Sequence, residues 1–308
     1  MCRHGEKALI CGGLAGYGLD AGMKKTIVYI LSTDYAGSHY VSLVLGSNSR
    51  TMHLGEAKRL KKPLSKQGVI CTACKDKGPC PVMSGIGPHN LLSIYDLIFS
   101  RIDPRKEVLI DASKTIEGWA TLFLTNTAYV RKYVHLIRDP RALVRRYLLT
   151  NSLNRQLARR WELYKQRQTL GRRIPFSTDL AEVSLYFWLA ENRQITQFIR
   201  ANHLDAMLVT YEDFARDTPR ELRRLTEWMG VDYEPAQIEY WNAEHHGTQK
   251  TRYDWVKEQK VQYIDLRWKE FLTPETQKRI AGDPLVNSYL AEQGLQLTAD
   301  GLTLHGGD

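Results

Sequence analysis

Four short, mainly apolar runs constrain this chain more than any other feature: Thr26–Leu31, Val108–Asp111, Tyr133–Ile137 and Met207–Tyr211. A strand wetted on one face alternates apolar with polar residues, whereas a short continuous apolar run bounded by loop residues fits a strand buried on both faces. Helical patterns separate the runs. Gly37 to about Gly46 carries an apolar stripe, Asn90 to Ile102 reads as a helix, and Glu221 to Met229 follows the fourth run. After Pro140 the helical pattern reaches about Leu170, breaks at Gly171 and Pro175, and resumes from Leu180 to Ala201. Asn242 to Trp268 is polar and aromatic without a clear period, and the end reads as helical and then frayed. Strand alternating with helix predicts an α/β fold, a three-layer open, mostly parallel sheet flanked by helices. With 308 residues, 43% of them hydrophobic, the chain suits a single large domain over 23–308. Residues 1–22 are glycine-rich, lack a signal-peptide core and precede Met23, so a flexible extension is expected there.

Open parallel sheets bind ligands beyond the carboxyl ends of their strands. Four segments should therefore converge: Ser32–His39, Asp111–Lys114, Arg138–Arg141 and Tyr211–Asp213. Together they hold a lysine, two arginines and a small-residue loop, which is the chemistry of an anion site. In that loop Gly37 allows close backbone approach, and Ser38 can cap the next helix or donate to an anion. No Gly-Lys-Ser/Thr follows, so this is not a Walker A loop. The net charge of +9 favours anionic partners. No apolar run has the length of a membrane span. An odd total of five cysteines argues against a secreted disulfide framework and for a reducing compartment, so the expected location is cytoplasmic.

The ordered set formed by the first loop, Gly55-Glu56, Asp111-Ala112-Ser113-Lys114, His135-Leu136-Ile137-Arg138-Asp139-Pro140-Arg141 and Tyr211-Glu212-Asp213-Phe214 resembles the sulfotransferases that use 3′-phosphoadenosine 5′-phosphosulfate (PAPS). The likeness spans about Thr26 to Trp268 and includes carbohydrate and tyrosylprotein sulfotransferases. It implies a P-loop-type sulfotransferase fold and transfer of a sulfuryl group to a hydroxyl or amine, leaving adenosine 3′,5′-bisphosphate (PAP). By that resemblance Thr33, Tyr35, Ala36, Gly37, Ser38 and His39 surround the 5′-phosphosulfate. Ala36-Gly37-Ser38-His39 stands where relatives carry Arg-Ser-Gly-Thr or Ser-Gly-Ser-Thr. Tyr35 then replaces a basic residue, and His39, replacing a hydroxyl residue, is expected to supply the missing charge when protonated. Arg138, with its planar fork free at the sheet edge, is implied for the 3′-phosphate, and Arg146 occupies the place of a serine ligand. Tyr211 is implied as a nucleotide contact, with Glu212 and Asp213 capping the helix after it. Lys250 and Arg252, near Gly247, resemble the late basic segment that closes over the phosphate. For chemistry the resemblance implies Lys114 beside the leaving oxygen and Glu56 as the base that takes the acceptor proton.

Cys71-Thr72-Ala73-Cys74 followed by Cys80 has the opening spacing of a structural zinc site, inside a basic Pro/Gly/Cys-rich insertion at about 58–88. Reduced thiols without metal are the alternative; with metal, His89 or His53 is expected as the fourth ligand. The acceptor stays open among small molecules, carbohydrate, lipid and peptide tyrosine. Trp119, Trp161 and Trp188 are candidate stacking surfaces, although tryptophans on helices commonly belong to the core. Two rival readings remain, a P-loop-type nucleotide kinase and a basic, zinc-stapled nucleic-acid-binding protein using Lys58–Lys66 and Arg155–Arg173. The second leaves the strand-end motifs without a role, so no nucleic-acid partner is expected.

Overall fold

The computed structural model describes residues 24–62, 64, 70–74, 77–150, 152–175, 177–249 and 264–305. The expected extension at 1–22, part of the insertion, Lys250 and Arg252 lie outside the described residues. In chain order the elements are β1 (Thr26–Ser32), α1 (Ser38–Leu45), β2 (Thr51–Gly55), β3 (Ile70–Cys71), α2 (Ile94–Phe99), β4 (Val108–Lys114), β5 (Val130–Ile137), α3 (Pro140–Leu149), α4 (Leu153–Lys165), α5 (Arg167–Leu170) and α6 (Leu180–Ala201). They continue as β6 (Ala206–Thr210), α7 (Tyr211–Arg216), α8 (Thr218–Met229), β7 (Thr248–Gln249), α9 (Trp268–Phe271), α10 (Pro274–Ala281), α11 (Pro284–Glu292), β8 (Leu295–Thr298) and β9 (Gly301–Leu304).

The main sheet has the order β3-β7-β2-β4-β1-β5-β6. Every neighbouring pair from β2 to β6 is parallel. Both faces of β1 are covered, as its unbroken apolar run predicts. Ile27, Tyr29 and Leu31 pack with Ile94, Tyr95 and Ile98 of α2. Val28 and Ile30 pack with Val41, Leu43 and Val44 of α1 and with Leu222 and Leu225 of α8. Each fully buried aliphatic side chain contributes about 1.5–3 kcal/mol, so two-sided burial makes β1 the axis of the fold. A third apolar layer joins Ile137, Leu143 and Trp188 to Val286 and Leu302 of the C-terminal elements. Among the described residues, no helix is long and apolar enough to cross a membrane.

Local chemistry sets the helix ends. Asp179 accepts from the Ala181 and Glu182 N–H groups at the start of α6, and Asp139 accepts from the Arg141 N–H at the start of α3. Several elements differ from the sequence reading. Thr51–Gly55 is a strand buried at all five positions. Its polar residues have tertiary partners: Thr51 Oγ1 donates to the Leu45 carbonyl, and His53 Nδ1 lies 2.8 Å from Ser42 Oγ. The helix expected over Asn90–Ile102 is α helix only at Ile94–Phe99, after a 3-10 segment at Pro88–Ser93. Tyr211 opens α7 instead of ending β6. The end expected to fray carries the β8–β9 hairpin.

Candidate active site

The loop between β1 and α1 turns through two left-handed residues, Tyr35 (φ 66°) and Gly37 (φ 92°). Gly37 is the N-cap of α1, and no side chain caps that helix. A Cβ at Gly37 would come within 2.3 Å of Tyr211 Cδ2, so glycine is required by backbone conformation and by space. Ala36 and Thr33 are buried, with the Ala36 N–H donating to the Thr33 carbonyl at 3.4 Å. Ser38 is also buried.

The Tyr211 ring that supports Gly37 also carries the Arg138 guanidinium, 4.5 Å from the ring centre. Arg138 was expected to hold its fork free, and here the structure differs. Its Nη1 donates to the Tyr35 carbonyl at 2.8 Å and its Nη2 to Asp265 Oδ2 at 3.1 Å. Asp139, the adjacent carboxylate, is already occupied: it caps α3 and pairs in a fork with Arg141. Arg138 Nε is buried without a hydrogen bond among the described residues, as is Ser32 Oγ at the end of β1. Arg146 is exposed, with its guanidinium 4.7 Å from the Tyr35 ring centre.

Beside this loop, the ends of β2 and β4 bring Glu56 and Lys114 together. Lys114 Nζ lies 3.2 Å from Glu56 Oε1 and 3.6 Å from Asp34 Oδ1. Arg59 pairs with the other Glu56 oxygen at 2.5 Å. Lys58 donates its N–H to Ser113 Oγ at 2.9 Å and its ammonium to Thr115 Oγ1. Burial by itself raises the Glu56 carboxyl, but Lys114, Arg59 and Lys58 together hold it below the usual glutamate range. Glu56 is therefore a buried carboxylate, ionised at neutral pH. Burial, reinforced by Lys114, pushes the His39 imidazole down to about 4. His39 is thus neutral at pH 7, and the cations acting on it are Lys114 and Arg59.

Asp111 organises this corner from below. It is buried and accepts from Tyr95 Oη, Trp119 Nε1 and the Ser113 N–H at 2.8, 2.8 and 2.9 Å. Behind Arg138, Glu212 accepts from the Asp139 N–H at 3.1 Å. Burial and the Asp139 charge push its carboxyl up to about 8. Neither Glu212 nor Asp213 caps α7: Thr210 Oγ1 does, accepting the Asp213 N–H at 3.0 Å, because the helix starts at Tyr211. Sequence reasoning gave Asp34 no role of its own within the first loop and did not bring Lys58, Arg59 or Asp265 to this corner. Only Lys58 and Arg59 carried a signal, standing two and three residues beyond Glu56.

Comparison with solved structures identifies this architecture. The sulfotransferase domain from the curacin biosynthetic pathway aligns over 87% of this chain and 98% of its own, at 17% identity and a TM-score of 0.51. The chain has the sulfotransferase fold. The sulfotransferase domain of the Synechococcus PCC 7002 olefin synthase aligns over 87% of this chain and 94% of its own, at 16% identity and a TM-score of 0.48. A mouse sulfotransferase, SULT7A1, solved with PAP, aligns over 87% of this chain and 85% of its own, at 13% identity and a TM-score of 0.44. No family model matches the chain, and no curated protein matches it in sequence.

This sulfotransferase fold carries a second side-chain cluster at its sheet edge. His246 Nδ1 lies 3.6, 3.5 and 3.6 Å from the sulfurs of Cys71, Cys74 and Cys80. The partner of the three cysteines is thus His246, not His53 or His89; His53 is buried against Ser42. Of the three tryptophans considered for stacking, Trp119 and Trp188 are core residues that donate to Asp111 and to the Arg138 carbonyl. Trp161 is 62% exposed and stacks on Tyr164, with ring centres 5.6 Å apart. Both border a groove of about 670 Å³ with Leu157 and Ile174, which includes none of the strand-end residues.

Proposed function

We propose that this protein is a PAPS-dependent sulfotransferase acting on a hydroxyl or amine. The observation that carries the reading is the partly buried Glu56–Lys114 pair, 3.2 Å apart, at the sheet end beside an uncapped helix N-terminus. The residues present suit the donor. Lys58 and Lys114 offer charge to a phosphosulfate, α1 offers its positive end, and buried Arg138 Nε and Ser32 Oγ are donors without partners among the described residues. Thr33, Tyr35, Ala36, Gly37, Ser38 and His39 would hold the 5′ end. Arg138, set on Tyr211, would hold the 3′-phosphate by exchanging Asp265 for it, with Arg146 as a second cation. Lys250 and Arg252 are proposed to close the same phosphate. When bound, PAPS supplies the sulfuryl group and departs as PAP; no metal is needed for that chemistry.

Within the chain, Glu56 receives the proton of the acceptor hydroxyl or amine. Its low basicity in the resting site follows from its ring of cations, and it keeps the base ionised and oriented. Protonation of Glu56 removes its hold on Lys114. The ammonium is then released toward the leaving oxygen at the moment that oxygen gains charge. Neutral His39 contributes a hydrogen-bonding group and no charge.

The test is incubation with PAPS labelled in the sulfuryl group and a panel of phenolic, sugar, lipid and tyrosyl-peptide acceptors. Label transferred by the wild type and lost in both Glu56→Gln and Lys114→Ala supports the reading. Transfer that persists undiminished in both variants contradicts it.

A further inference from the structure

Three sulfurs set equally around one ring nitrogen pose a chemical problem. A single Nδ1 carries one proton or one lone pair, so it cannot hydrogen-bond three thiols at once. A common centre accounts for the spacing. With metal–sulfur and metal–nitrogen bonds of about 2.3 and 2.05 Å at tetrahedral angles, the S···N separation is about 3.55 Å. The observed separations are 3.6, 3.5 and 3.6 Å. All four ligand atoms lie within 4.8 Å of one another, and the three cysteines are buried. We propose that Cys71, Cys74, Cys80 and His246 bind one zinc ion in a closed tetrahedral Cys3His site.

A disulfide explains the cluster less well. It would draw two sulfurs to about 2.05 Å and leave the third cysteine and the histidine without a role. On the other side of the imidazole, Nε2 lies 3.7 Å from Glu244 Oε1, which leaves Nδ1 as the nitrogen that faces the sulfurs. All four positions are filled by protein, so the site is structural. As the ion binds, the three thiols release their protons to solvent.

What the ion holds is visible in the pairing around it. β3 and β7 are two residues each, too short to persist alone, and they pair as Ile70↔Gln249 and Cys71↔Thr248. The Thr72 and Ala73 N–H groups donate to the Gly247 and His245 carbonyls at 2.9 and 3.1 Å. Thr248 pairs in turn with Gly55, and its carbonyl accepts the Glu56 N–H at 3.2 Å. The zinc thus clamps the cysteine insertion and the segment around His246 to the edge of the sheet that bears Glu56. This inference does not depend on the sulfotransferase reading.

The experiment is elemental analysis of the wild-type protein purified from zinc-supplemented cells under reducing conditions, followed by exchange with Co2+. One equivalent of zinc per chain is expected, with Co2+ giving tetrahedral d–d bands and intense thiolate charge transfer. Cys74→Ala and His246→Ala should retain less than a tenth of the metal, and His246→Cys should restore it. Chelation should speed hydrogen exchange in peptides covering 70–80 and 245–249. Wild-type protein without metal and without the cobalt spectrum, a disulfide among the three cysteines, or full metal content in His246→Ala would each overturn the site. Unchanged exchange after zinc removal would overturn the clamp. If the variants fail to fold, the wild-type measurements decide the site.

Discussion

At Gly37, backbone and ring constrain one another. A side chain there must adopt φ 92° and displace a Tyr211 ring that would lie 2.3 Å from its Cβ. Gly37→Ala is expected to cost about 1–3 kcal/mol of stability by chemical denaturation and to weaken nucleotide binding through the shifted Tyr211–Arg138 stack. Glu56→Gln keeps the shape of the site and removes the proposed base. It should lower turnover by about 10²–10⁴-fold while PAP still binds, and unchanged turnover would remove Glu56 from the mechanism. The acid limb of the wild-type pH–rate profile should fall below the ordinary glutamate range, because Lys114, Arg59 and Lys58 outweigh burial at this carboxyl. His39 should contribute no inflection between pH 6 and 8, since burial holds it near 4. Gly37 and Lys114 could be singled out from the sequence because β1 and β4 show as apolar runs, whereas Glu56 follows β2, which does not, and rested on the resemblance. Asp265 could not: its partner Arg138 is 127 residues away, and nothing local to either announces the pair.

The junction of α3 and α7 carries a buried acid whose titration should register in stability. Glu212 sits against Asp139, and burial first, then that charge, lifts its carboxyl from 4.5 to about 8 against the opposing pull of Arg138. The folded state therefore keeps a proton that the unfolded state has already lost. The contribution is fully present below the unfolded value, and stability falls as pH rises from about 4.5 to about 8. The slope from this one group is at most about 1.4 kcal/mol per pH unit. Glu212→Gln should flatten that part of a urea-denaturation series across pH; an unchanged slope would assign it to other groups. The elements themselves were unevenly readable. β1, β4, β5 and β6 announced themselves because two-sided burial leaves a continuous apolar run. β2 did not, because Thr51 and His53 are buried with partners on α1. β3 and β7 exist only through long-range pairing, and His246 meets Cys74 across 172 positions.

Across the whole molecule, the net charge of +9 favours an anionic partner, and the arginine proposed for the 3′-phosphate is already paired with a carboxylate. Arg138 ties the first loop to Asp265, so a 3′-phosphate bound there as proposed would compete with a carboxylate already in place. Asp265→Asn should tighten PAP binding by up to about tenfold, equivalent to ~1.4 kcal/mol, and weaker binding would mean that Asp265 positions the arginine instead. Whether the site takes PAP is decided by calorimetric titration of the wild-type protein with PAP, alongside AMP and ATP–magnesium, and with Arg138→Ala as control. Roughly micromolar binding of PAP is expected, lost with the 3′-phosphate and with Arg138. Failure to bind PAP, equal affinity for AMP, or a preference for ATP–magnesium would contradict it.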